Sequence, residues 1–351
     1  MTSEGRLIKG QAKQSHLIEQ RIDDWLGYKE APQVAYFNTS CNQFNALPNQ
    51  TSHEKNLVGT AALVEWIAQD FFDDNSPEFL QKGQDLRQTL QQILTARDQE
   101  DVDAAKELNE IIKDQLKTVG PELLQHSEQE ADTDERRMQN VAARIVGHIA
   151  MQQTESAENK DKDSTMTAIS SHLLAGRLVN AMTMKNCWSG VDRTGFVSGL
   201  EYAIDRMLEN ELDNNGEDRA AAFETVFDFL LNFEQRVKEM DEATKGMDAA
   251  AYQAWLEGVG QEFKPEVQFQ NLMWEYVMAV SEPLEWNSSG VWGLKWVSKG
   301  FVNPHPLPYL PRRVFDEESQ QWISLLDPKS FDDFTSEGRQ IFIGHAKHRT
   351  G

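Results

Sequence analysis

Apolar residues recur every three to four positions along much of this chain, and that spacing restricts most of it to amphipathic helices packed on one another. Between residues 54 and 73, Leu57, Val58, Ala61, Val64, Trp66 and Phe72 trace close to one helix face. Leu86, Leu90, Ile93 and Leu94 follow the i, i+4, i+7, i+8 rule, as do Met138, Val141, Ala142, Ile145 and Ile149. Residues 97–135 are strongly acidic with sparse apolar positions, so a solvated helical hairpin is expected there, punctuated by Gly120-Pro121. Residues 154–165 offer no core-forming side chain and read as an exposed loop.

The texture changes after that loop. Leu178 to Met184 form a short uncharged apolar run, which predicts a buried strand, and Lys185 to Gly190 break it with a polar turn. A helix is expected from Thr194, with Phe196, Leu200, Ala203, Ile204, Met207 and Leu208 on one side. Further helices are expected over about 218–240, 248–262 and 265–280. The last seventy or so residues are Trp- and Pro-rich, with Trp286, Trp292, Trp296 and the run Asn303-Pro304-His305-Pro306-Leu307-Pro308. They read as irregular structure packed on the main body.

Charge and cysteine usage limit the function classes. Of the 351 residues, 57 are acidic and 34 basic, a net charge of -23. That field repels nucleic acid, and no basic stripe offsets it. It also opposes contact with anionic lipid unless a local basic patch overrides it. Two cysteines, Cys41 and Cys187, cannot supply a disulfide framework, so a reducing compartment is expected. No apolar run is long enough to span a membrane and the first residues lack a secretory pattern. A soluble, cytoplasmic protein is expected.

Chemistry concentrates in Asn186-Cys187-Trp188-Ser189-Gly190-Val191-Asp192-Arg193-Thr194-Gly195, between the expected strand and helix. Phosphoryl transfer to sulfur needs an ionised thiol, although a free cysteine titrates near 8.5. It needs donors for three phosphate oxygens, and a proton for the leaving alkoxide. A turn entering a helix N-terminus supplies converging N–H groups and positive potential, which favour a Cys187 thiolate. Arg193, six positions on, can present its planar fork to two phosphate oxygens. Gly190 permits backbone angles closed to other residues, and Thr194 can donate a hydroxyl to the thiolate. The bland reading of the same residues is a buried cysteine beside a helix start, with Arg193 paired to Asp192 or a nearby glutamate.

These ten residues resemble the signature of the Cys-x5-Arg phosphatases, in their phosphoinositide branch. The pattern is similar to Asn-Cys-Lys-Ser-Gly-Lys-Asp-Arg-Thr-Gly of the inositol polyphosphate 4-phosphatases and the related bacterial effector phosphatases. The Asp-Arg-Thr ending is shared with the myotubularin and Sac-type enzymes. A second, weaker likeness is Phe37-Asn38-Thr39-Ser40-Cys41-Asn42-Gln43, which resembles a segment preceding the catalytic region in the effector group. The resemblance implies a helix-rich α/β fold with a cysteine-phosphatase-like core, a central sheet and a helical N-terminal extension. It implies a phosphoinositide or inositol phosphate substrate, catalysis by Cys187 and Arg193, and Asp192 as the acid. The other role open to Asp192 is fixing the loop through backbone N–H groups. Trp188, Ser189, Gly190, Val191 and Thr194 complete the phosphate loop, and no metal or other cofactor is needed. The effector likeness further implies delivery into a host cell and action at a membrane surface.

Two departures bear on substrate. Trp188 and Val191 stand where the effector pattern has lysines, which are expected to bind additional ring phosphates. Lys185, Lys295, Lys299, Arg312 and Arg313 are the candidates to replace them, each with the alternative of an ordinary surface cation. Residues 1–160 are expected to form a mostly helical region and 161–351 the catalytic core, either as two units or as one continuous domain. A protein tyrosine phosphatase and a phosphate-binding module without turnover remain as other readings. Cys41 beside Phe44 reads as core, and His345 and His348 show no metal spacing.

Overall fold

The computed structural model describes residues 50–72, 77–99, 101–159, 164–179, 192–285, 313–316 and 321–324. Nine α-helices are found among them: α1 (Gln50–Phe71), α2 (Pro77–Asp98), α3 (Val102–Ser127), α4 (Asp134–Asn159), α5 (Ser164–Leu178), α6 (Asp192–Asn214), α7 (Arg219–Ala243), α8 (Ala249–Glu257) and α9 (Lys264–Glu285). A short 3-10 turn, Val259–Phe263, joins the last two. Strands occur among the described residues as one antiparallel pair, β1 (Arg313–Asp316) and β2 (Gln321–Ser324), with Arg313 opposite Ser324 and Asp316 opposite Gln321.

Local sequence explains where these helices start. Asp101, Asp218 and Asp248 precede α3, α7 and α8, and each carboxylate accepts the backbone N–H three residues on, from Ala104, Ala221 and Ala251. These bonds satisfy donors that have no partner inside the helix. Thr133 does the same for Arg136 N at 3.2 Å, opening α4. Pro265 lies in the first turn of α9, where a missing N–H costs no hydrogen bond.

Helix α4 is the hub. Val141, Ala142, Ala143, Ile145, Val146, Ile149 and Ala150 are all buried, and the helix packs against α1, α3, α5 and α7. Helices α1 to α4 close on one another as a four-helix group, α1 against α2, α2 against α3, α3 against α4 and α4 against α1. On the other side α6 lies against α9, α7 and α5, and Phe229, Phe233 and Phe269 mesh with ring centroids 4.9 to 5.3 Å apart where α7 meets α9. The apolar core is continuous across residue 160.

The expected α/β architecture with a central sheet is therefore corrected: the described body is helical and its buried large side chains come from helices. The reason is visible at Leu178. A short apolar run bounded by a turn fits a buried strand or a buried helix end equally well by periodicity. Leu178 is the last residue of α5, with Leu173, Leu174 and Ala175 buried before it. Residues 180–184 of the expected strand lie outside the described residues.

Two further expectations change. The supposed solvated hairpin over 97–135 is instead occupied chiefly by the single helix α3, between the end of α2 and the start of α4, with Gly120 and Pro121 inside it. Asn109, Ile112, Leu116, Val119, Leu123 and His126 make a buried face at helical spacing, and the acidic residues lie between them. Gly120 serves a close crossing rather than a turn: a Cβ on it would lie 3.3 Å from the carbonyl oxygen of Gly147 on α4, and one on Gly147 would lie 3.0 Å from the Gly120 oxygen. The supposed loop over 154–165 is also mostly helical, since α4 continues to Asn159 and buries Thr154, whose hydroxyl donates to the Ala150 carbonyl. The helices expected over 218–240, 248–262 and 265–280 are found as α7, α8 with its 3-10 extension, and α9.

Candidate active site

The candidate phosphate turn leads into α6. That helix begins at Asp192, two residues before the expected start, so Asp192, Arg193 and Thr194 belong to its first turn. Cys187, Trp188, Ser189, Gly190, Val191 and Lys185 lie outside the described residues, as do Cys41, Lys295, Lys299, Arg312 and the Trp286 to Trp296 segment.

The later turns of α6 hold it in place. Val197, Leu200, Ala203, Ile204 and Leu208 are buried at spacings of three and four, and they face α5, α7 and α9. A helix held along its length presents its N-terminal N–H groups and partial positive charge at a defined position. The buried residues from Val197 onward thus set the direction in which the N-terminus of α6 points.

A charged clamp joins the two helices that flank the turn. Arg177, in the last turn of α5, donates from Nε to Asp205 Oδ1 at 2.6 Å and from Nη2 to Asp205 Oδ2 at 2.7 Å. Nη2 also reaches Glu201 Oε1 at 2.7 Å. This fork-to-carboxylate geometry is directional as well as strong. It ties the end of α5 to the third and fourth turns of α6. Sequence reasoning passed over Arg177; the signal for it was a lone cation within the apolar stretch from His172 to Val179.

Beneath these helices runs a buried polar contact between α1 and α5, where Thr60 Oγ1 and His172 Nε2 are 3.1 Å apart. Ser170 and Ser171 beside it are fully buried. These groups are closed to a substrate in this conformation and serve the packing of α5.

Arg313 has a structural position. Its Nη2 donates to the Met247 carbonyl at 2.7 Å, in the turn between α7 and α8, and its guanidinium lies 4.4 Å from the centre of the Tyr252 ring. Burial pushes the Tyr252 phenol up to about 12, a rise that the nearby Arg313 opposes. Trp322, on β2, meets the same ring edge-on at 5.1 Å and donates its indole N–H to Gln253. The strand pair is thus fastened to α8 by Arg313, a candidate for substrate contact, and by Trp322 from the tail expected to be irregular.

Among the described residues, no group of three or more His, Cys, Asp or Glu side chains could hold a metal ion, and no helix is long and apolar enough to cross a membrane. The chain matches no family model, no curated protein and no solved structure.

Proposed function

We propose that the chain is a cysteine-dependent phosphatase acting on phosphoinositides or inositol phosphates. The observation that carries the reading is that a firmly packed helix starts within the Cys187-x5-Arg193-Thr194 sequence, at Asp192. A thiolate, a guanidinium and a helix N-terminus are the parts that phosphoryl transfer to sulfur requires. The Cys187 thiolate attacks phosphorus in line, and the bond from phosphorus to the alkoxide oxygen breaks. Arg193 and the loop amides hold the equatorial oxygens, while Asp192 gives its proton to the leaving oxygen. Water then attacks the phosphocysteine, its proton returns to Asp192, and inorganic phosphate leaves the regenerated thiolate.

The architecture of the resembling families does not support this reading, because the described body lacks their central sheet. It rests on the motif and on the helix after it. One test is phosphate release across all mono- and polyphosphorylated inositides, comparing the native chain with Cys187→Ser. Release that disappears in the variant while the helical spectrum is unchanged is expected, and equal turnover would end the proposal.

A second reading is a phosphate-binding module without turnover. Trp188 and Val191 in place of two lysines, the acidic net charge and the helical body favour it. Tight binding of a phosphoinositide with no release under reducing conditions would select it. A chain that released phosphate from phosphopeptides and not from inositides would be a protein tyrosine phosphatase instead.

A further inference from the structure

Three rings meet where the ends of three helices converge. Phe72 follows the last residue of α1, Phe79 lies in the first turn of α2, and His126 lies in the last turn of α3. Their centroids are 4.9 Å (Phe72 to Phe79), 5.3 Å (Phe72 to His126) and 5.1 Å (Phe79 to His126), and the imidazole stands edge-on to both phenyl rings at 74°. All three are buried, and His126 Nε2 is shut off from solvent with no hydrogen-bond partner. An imidazole in this position is comfortable as a neutral ring. As imidazolium it would carry a buried charge and an Nε2 N–H with no acceptor, so proton uptake is opposed twice.

We propose that the Phe72–Phe79–His126 cluster is an acid-sensitive latch, in which proton uptake by the His126 ring releases the packed ends of α1, α2 and α3 from one another. The surrounding charges do not reverse this. Burial is the leading cause holding the ring below the ordinary imidazole value; Arg136 on α4 adds to it, and Glu78 on α2 opposes it. Lys82, also on α2, pairs with Glu122 on α3 and lies 5.7 Å from the centre of the Phe79 ring, which places another cation beside the cluster. The contribution of α1 is Phe72, and none of its described charges acts on the ring. The C-terminal dipole of α3 and the neighbouring phenyl rings favour the charged ring, but burial opposes it and leads, with no acceptor at Nε2.

The direction follows from linkage. The ring binds its proton more weakly closed than open, so closure is fully stable above about pH 6.5, the value of a free imidazole. As pH falls through that value the opening constant rises, by up to about tenfold per pH unit, and levels off below the closed-state value. This device is independent of the proposed catalytic turn.

Amide hydrogen exchange on the whole chain tests it, with intrinsic rates corrected for pH. Between pH 7.5 and pH 5.5, peptides over 77–84 and 119–127 are expected to lose protection by about tenfold if the ring remains neutral when closed. His126→Phe should remove that loss, and His148→Gln, which alters another partly buried imidazole packed on Phe227, should not. Should His126→Phe fail to fold, imidazole resonances of the native chain give the same decision. A His126 ring that titrates near or above 6.5, or peptides whose protection is the same at both pH values, would overturn the proposal. So would a loss of protection over 77–84 and 119–127 that is as large in a folded His126→Phe variant as in the native chain.

Discussion

Replacing Arg177 by alanine removes the clamp that ties α5 to α6, and the cost can be worked out from burial. The Glu201 side chain is 12% exposed and that of Asp205 is 35% exposed. Taking the guanidinium away from Glu201 removes a charge-assisted bond from a nearly dry carboxylate, at a cost of about 2 kcal/mol. Asp205 returns largely to water, so its two bonds add about 0.5–1 kcal/mol despite their good geometry. The lost packing of the alkyl stem brings the total to about 3 kcal/mol. Urea unfolding followed by far-ultraviolet circular dichroism measures this through the midpoint at unchanged slope. Double-mutant cycles refine it: coupling of Arg177 to Glu201 should exceed coupling to Asp205, although Asp205 accepts from both Nε and Nη2. A loss below about 1 kcal/mol, or the opposite ranking, would refute the reasoning that burial rather than the number of contacts sets the worth of this clamp.

Three more outcomes are expected. Gly147→Ala should lower stability by about 1–2 kcal/mol, because overpacking against the Gly120 carbonyl outweighs the gain in helix propensity. Gly120→Ala should cost less, since its nearest obstacle is the flexible Met151 side chain at 3.1 Å, and thermal unfolding compares the two. Arg313→Ala should speed proteolysis within 313–324 and destabilise by about 1–2 kcal/mol, through the lost bond to Met247 O and the lost stacking on Tyr252; unchanged stability with weaker substrate binding would return Arg313 to the substrate site. His126 and His148 are both held below the ordinary imidazole value, chiefly by burial, so each contributes stability that is complete above about pH 6.5 and declines below it, by up to about 1.4 kcal/mol per pH unit. Urea midpoints that stay flat from pH 7.5 to 5.5 would contradict this.

Much of the helical body was legible in the sequence because its apolar residues sit at unambiguous spacings. The Met138 to Ile149 series identified the hub helix, and the helices after residue 218 were found close to their expected limits. The failures share one cause: small or polar residues that acquire meaning only against a neighbouring helix. Gly120 is indistinguishable from a turn glycine until Gly147 is placed opposite it. Asn109 and His126 count as polar in a periodicity reading, yet both lie on the buried face of α3, which hid that helix among its acidic residues. Thr154 returns its hydroxyl to the Ala150 carbonyl and so enters the core at little cost. At the candidate site the sequence misjudged the scaffold, since a helix ends at Leu178 where a strand was expected and the next helix starts at Asp192; Cys187 to Val191 lie outside the described residues. The lone Arg177 carried a signal, but its partners did not, because Glu201 and Asp205 lie among many other acidic residues.

Phosphoryl transfer to sulfur requires that the Cys187 thiol ionise below the free-thiol range. The rate of its alkylation by iodoacetamide can be followed against pH by peptide mass analysis, with Cys41 as an internal reference in the same chain. A Cys187 midpoint well below the free-thiol value of about 8.5 is expected, with slower reaction in the presence of inorganic phosphate. A midpoint at or above that value, with no protection by phosphate, would contradict it.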